Sequence, residues 1–157
     1  MADFANPLKQ FFRQPALYMR LTSDGQWWTN DSLDMPANKE LPVYPMTAID
    51  EITYRTPDAL FNGQAVVNVI QSCVPNIKNP WKIPAIDLDT LLISIRVASY
   101  GHEMEIAADC PHCEHRSEYM LDLRNLLEKQ VIPDYSKLVE IEGLKFKLKP
   151  QDYTAVN

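Results

Sequence analysis

Residues 87–123, "DLDTLLISIRVASYGHEMEIAADCPHCEHRSEYMLDL", change period halfway along, and the fold follows from that change. In the first half Leu88, Leu91, Leu92, Ile95 and Ala98 recur at helical spacing, which predicts a helix buried along that stripe. Asp87 is placed to cap its start and Gly101 to close its end. Arg96 falls in the apolar run and needs a carboxylate or carbonyl partner. Beyond Gly101 the period drops to two. "HEMEIAAD" sets Met104 and Ile106 on one face, and "RSEYMLDL" does the same with Tyr119, Leu121 and Leu123. These read as two strands of a hairpin whose tip is "CPHCEH".

Toward the C-terminus, a short helix near 122–130 precedes a second hairpin, "KLVEIEGLKFKLK". Its alternation predicts Leu144, Phe146 and Leu148 facing inward with Lys145, Lys147 and Lys149 facing water. Residues 150–157, "PQDYTAVN", look like the opening of a helix and so the start of a C-terminal extension. Upstream, residues 64–74 carry Val66, Val69, Ile70 and Cys73 at i, i+3, i+4 and i+7, placing Cys73 on an apolar stripe. In "TPDALFNG" Thr56 caps, Pro57 takes the first helical position and Asn62-Gly63 stops the turn. Thr47 with Asp50 three residues on makes a capping box in "TAIDEITYR".

Nearer the N-terminus, "ALYMRLTSDGQWWT" reads as a strand, a Ser-Asp-Gly turn and a second strand, with Trp27 and Trp28 on opposite faces of the latter. "ELPVYPM" is a short extended piece that its prolines keep at a sheet edge. Residues 1–15 form an arm bearing Phe4, Phe11 and Phe12. The expected fold is therefore α+β: one domain over residues 16–149, with two antiparallel β-hairpins packed on two or three short helices.

Composition bounds the function. The chain has 157 residues, 46% hydrophobic and 23% charged, the profile of one globular domain. Lys and Arg number 15 against 21 Asp and Glu, a net charge of −6 that argues against direct nucleic-acid binding. No apolar run reaches the ~18 residues of a membrane span, and the first residues lack a signal peptide's apolar core. Membrane insertion is not expected, and cytoplasmic synthesis is. Twelve prolines against four glycines predict short elements joined by stiff corners.

Three cysteines in a reducing compartment do not imply disulfides. Cys110 and Cys113 on a hairpin tip have the spacing of a zinc knuckle, in which two thiolates supply half of a tetrahedral site. Completion needs two ligands from Cys73, His102, His112 and His115. The alternative is a plain turn with reduced thiols. A redox dithiol would sit at a helix N-terminus within a βαβ unit, which this pair does not. There is no Gly-rich phosphate loop, His-Glu-x-x-His or Gly-x-Ser-x-Gly, so no enzyme and no small-molecule substrate are expected. Phe11, Phe12, Trp27, Trp28 and Trp81 are the candidate interface residues, since aromatics bury large areas at low entropic cost.

The order of several motifs resembles the T4-type baseplate proteins of contractile phage tails, which include hub subunits and hub-assembly factors. The matching pieces are "LTSDG", "YPMTAIDEITYRTPDALFNGQAV", "SCVPNI", "IDLDTLLISIRVASYG" and "ADCPHC", spread over residues 17–148. The sequence departs from a standard knuckle at Glu114, where glycine often follows the second cysteine. The resemblance implies a non-enzymatic structural or assembly protein of the baseplate hub. Its partners would be other baseplate or hub proteins, and its place the virion or, during assembly, the host cytoplasm. The rival is a zinc-stabilised adaptor that binds another protein or nucleic acid.

Overall fold

A computed structural model describes residues 13–56, 63–113, 115–131 and 134–156. The chain runs β1 (Leu17–Met19), β2 (Leu41–Val43), α1 (Ala48–Tyr54), α2 (Gln64–Cys73), a 3-10 turn (Pro80–Lys82) and α3 (Ala85–Tyr100). It continues β3 (Glu103–Asp109), β4 (Arg116–Asp122), α4 (Arg124–Glu128), β5 (Leu138–Ile141), β6 (Leu144–Lys147) and α5 (Tyr153–Val156). The strands form separate antiparallel pairs, β1 with β2, β3 with β4 and β5 with β6, so the class is α+β.

The core lies where α2 and α3 meet the small β1–β2 sheet. Val69, Ile70 and Cys73 of α2, Leu91 and Ile95 of α3, and Leu41 and Val43 of β2 are all buried. Of the expected stripe on α2, Val69, Ile70 and Cys73 are buried and Val66 half-buried, and Ala65 and Val67 are buried as well. β2 is fastened to the end of that helix by the Tyr44 N–H, which donates to the Cys73 carbonyl at 2.8 Å. α1 begins as its sequence predicts: Thr47 accepts from the Asp50 N–H, and the Asp50 carboxylate accepts from the Thr47 N–H at 2.8 Å. The "TPDALFNG" turn lies largely outside the described residues, as do Phe4, Phe11 and Phe12.

Three local expectations are corrected. The strand β1 does not turn back at Ser23-Asp24-Gly25; its partner is β2, more than twenty residues on, with Leu17 opposite Val43 and Met19 opposite Leu41. Residues 22–27 instead form consecutive turns, and Trp27 sits at φ 64, which no strand residue adopts. A pull from the core explains this, because Asp87 draws the segment in. Secondly, Asp87 does not cap α3. The helix begins two residues earlier, after Pro84, and Asp87 is fully buried within its first turn. Thirdly, the second hairpin does not turn an apolar face inward. All residues of β5 and β6 are exposed, Leu144 at 63% and Phe146 at 43%. Alternation sorts side chains onto two faces but does not say that either face meets the core.

The C-terminal end is tied to the body. Ala85 N–H donates to the Gln151 carbonyl and Tyr153 N–H to the Ile83 carbonyl, both at 2.8 Å. Tyr153 is buried and stacks on Trp81 with ring centroids 5.5 Å apart.

Candidate functional site

Two buried carboxylates are the first places to look for chemistry, and both are occupied by structural bonds. Asp87 accepts from the Ser23 N–H at 2.7 Å, the Ser23 hydroxyl at 2.5 Å and the Trp28 indole N–H at 2.8 Å. Burial pushes its carboxyl above the ordinary value, against the pull of these hydrogen bonds. Asp50 accepts from Thr47 and from the Ser72 hydroxyl, with the Arg13 guanidinium 3.7 Å away. Burial alone would raise its carboxyl, but Thr47, Ser72 and Arg13 together hold it below the ordinary range. Arg13 also donates to the Ser72 carbonyl at 2.9 Å and to the Pro45 carbonyl, so this cluster clamps the start of α1 to the end of α2.

Of the candidate metal ligands, Cys110, Cys113 and His115 share the connection between β3 and β4, while Cys73 and His102 lie elsewhere. Cys73 is buried in the core with Arg13 Nη2 3.3 Å from its sulfur, and burial pushes its thiol up despite that neighbour. His102 precedes β3 and Cys110 follows it. At ~3.3 Å per residue an extended strand of that length holds them roughly 25 Å apart. Cys110 and Cys113 lie in the connection between β3 and β4, where the Cys110 N–H donates to the His115 carbonyl at 2.9 Å. Backbone N–H groups of His112 and Cys113, then the Cys113 side chain, hold the Cys110 thiol below its ordinary value. Among the described residues no group of three or more His, Cys, Asp or Glu is gathered tightly enough to hold a metal ion.

Of the candidate interface aromatics, Trp28 packs on the core with its N–H on Asp87, and Trp81 is taken up by Tyr153. Trp27 keeps an exposed edge while its ring meets Tyr135 edge-on at 5.0 Å. Phe11 and Phe12 lie outside the described residues.

Sequence reasoning missed the apolar surface that is open. One part is a groove of about 340 Å³ lined by Met46, Tyr54, Arg55, Leu92, Arg96 and Tyr100 among others. There Arg96 meets its expected carbonyl partner in Gly101, at 3.2 Å, and lies over the Tyr100 ring at 4.8 Å. On α1, whose end lines this groove, Ile49 and Ile52 are exposed at 75% and 68%. The other part is the β5–β6 hairpin. Its pairing puts Val139 opposite Phe146 and Ile141 opposite Leu144, all four on one exposed face. The signal for this second surface was present in the alternation of residues 138–148, which was assigned to the core instead.

Large apolar side chains left in water in contiguous sets mark surfaces that bind a protein, a membrane or a ligand. The family model for the T4 bacteriophage base plate protein matches residues 32–156 of this chain. No curated protein and no solved structure matches it.

Proposed function

We propose, because this chain belongs to the T4 bacteriophage base plate protein family, that it is a non-enzymatic structural or assembly protein of the contractile-tail baseplate, acting in the hub region through protein–protein contacts. The observation that carries the reading is the exposed apolar face of Val139, Ile141, Leu144 and Phe146. A lone two-stranded hairpin is marginal in water, so this one gains most from a neighbour that covers it. The partners on this reading are other baseplate or hub proteins, met in the host cytoplasm during assembly or held in the virion. No substrate is invoked, since the buried carboxylates are consumed by Ser23, Trp28, Thr47, Ser72 and Arg13.

Cross-linking during infection tests this. A tagged chain expressed at its natural level is recovered with baseplate proteins, and a Phe146→Asp/Ile141→Asp variant recovers them several-fold less. Recovery of the chain free of every tail protein throughout assembly would overturn the proposal.

A second reading, the zinc-stabilised adaptor, draws on one observation: Cys110 and Cys113 lie together in the connection between β3 and β4, where the Cys110 N–H donates to the His115 carbonyl at 2.9 Å. Cys110 and Cys113 would hold the ion as thiolates, with His112 and His115 the nearest further donors in sequence. Zinc there would cross-link the β3–β4 connection. Elemental analysis of chelator-free protein decides it. One zinc per chain, lost together with thermal stability in Cys110→Ser/Cys113→Ser, supports the reading; no metal and an unchanged melting temperature exclude it.

A further inference from the structure

The two exposed hairpins are complementary in charge and in phase. β3 presents Glu103, Glu105 and Asp109 on one face and Met104 and Ile106 on the other. β6 and the residues after it present Lys145, Lys147 and Lys149 on one face and Leu144, Phe146 and Leu148 on the other. Each strand pairs on one side only: among the described residues β3 meets β4 alone and β6 meets β5 alone. Each therefore has an edge whose N–H and C=O groups are free to extend a sheet.

We propose that the free edge of β6 in one copy of this chain adds to the free edge of β3 in a second copy. The product is a four-stranded sheet in the order β4-β3 of one molecule followed by β6-β5 of the next. Side chains alternate with the same period in both strands, so one register settles both faces. On the first face Lys145 and Lys147 come opposite Glu103 and Glu105. On the second, Leu144 and Phe146 extend the apolar row begun by Leu121, Tyr119, Met104 and Ile106, and Ile141 and Val139 complete it. Opposite charges and apolar pairs directly across a ladder are the favourable combinations, and like charges across it are unfavourable.

That last rule selects the occupant and the symmetry. Two β6 edges together would set lysines against lysines, and two β3 edges would set glutamates against glutamates. The pairing is therefore heterologous, β6 to β3, and repeats from copy to copy; it closes as a ring or continues as an open filament. Charge complementarity within one molecule identifies the partner as another copy rather than an unrelated acidic protein. The proposal stands on the two hairpins and does not depend on the family assignment.

Analytical ultracentrifugation of the full chain over a concentration series tests it. Reversible assembly beyond the monomer is expected, weakening about tenfold in apparent affinity between low and high salt because the charged face is exposed. The decisive step uses two variants, Lys145→Glu/Lys147→Glu and Glu103→Lys/Glu105→Lys. All four positions are exposed, and because Lys145 stands opposite Glu140 in its own hairpin, folding of each variant is checked by circular dichroism and melting temperature. Each variant alone is monomeric, because both of its edges now carry the same sign. Mixed in equal amounts they assemble again, since every contact is once more acidic against basic. A wild-type chain that stays monomeric at all concentrations overturns the proposal and assigns the basic edge to a different acidic partner. Variants that assemble as well as wild type, or a mixture that stays monomeric, overturn it too.

Discussion

At the scale of single residues, an aspartate that reads as a cap in the sequence resolves into an anchor. Asp87 illustrates why. An aspartate before an apolar helix reads as an N-cap, yet three donors from residues 23–28 hold its carboxylate inside the protein. Local pattern could not reveal this, because the donors lie about sixty residues away in the chain. Asp50 was legible as a capping residue through its spacing from Thr47, but its link to Ser72 and Arg13 was not. Its pH behaviour follows from that link. The folded pKa lies below the unfolded value, so its stabilisation is complete above about pH 4 and fades as pH falls through the folded value. Asp50→Asn is predicted to cost about 1–2 kcal/mol at pH 7, through the lost cap and the weakened Arg13 contact. Urea unfolding across pH should show the gap between wild type and variant narrowing below about pH 4. A gap that widens there would refute the account of this cluster.

At the scale of elements, long periodic stretches were readable and short ones were not. The helix containing Leu91 and Ile95 and the paired strands around Met104 and Tyr119 follow directly from a period of 3.6 and then of two. The segment after Met19 misleads because Ser-Asp-Gly is a good hairpin turn locally, whereas the buried bonds to Asp87 favour consecutive turns with Trp27 at positive φ. Tertiary contacts outweigh a weak local preference there. The candidate metal site was half legible. Spacing placed Cys110 and Cys113 together in one turn, but only the fold separates them from Cys73 and His102. Where α3 hands over to β3, Gly101 has φ 85 and ψ 175, a region closed to residues with a Cβ. Nothing lies within 4 Å of an added methyl, so backbone strain is the whole cost of substitution. Gly101→Ala is predicted to destabilise by about 1–3 kcal/mol in chemical denaturation, without change in the denaturant m-value. A variant as stable as wild type would show that the junction relaxes freely.

At the scale of the whole molecule, the division between a well-covered centre and open hairpins is what connects structure to role. Residues around Ile70, Leu91 and Val43 are sealed, whereas β5 and β6 place eight residues in water, half of them on an apolar face. A protein that worked alone would gain by turning that face inward or making it polar. Membership of the T4 baseplate family supplies the setting in which such faces find neighbours. Sequence motifs made the family legible. Which surface does the binding was hidden, since periodicity assigns side chains to a face without saying what lies against it. The most direct test is infection with phage from which this chain is deleted, followed by electron microscopy of the particles and tail intermediates formed. The account predicts that contractile tails with complete baseplates are absent and that supplying the wild-type chain restores them. Normal baseplates and contractile tails in its absence would contradict it.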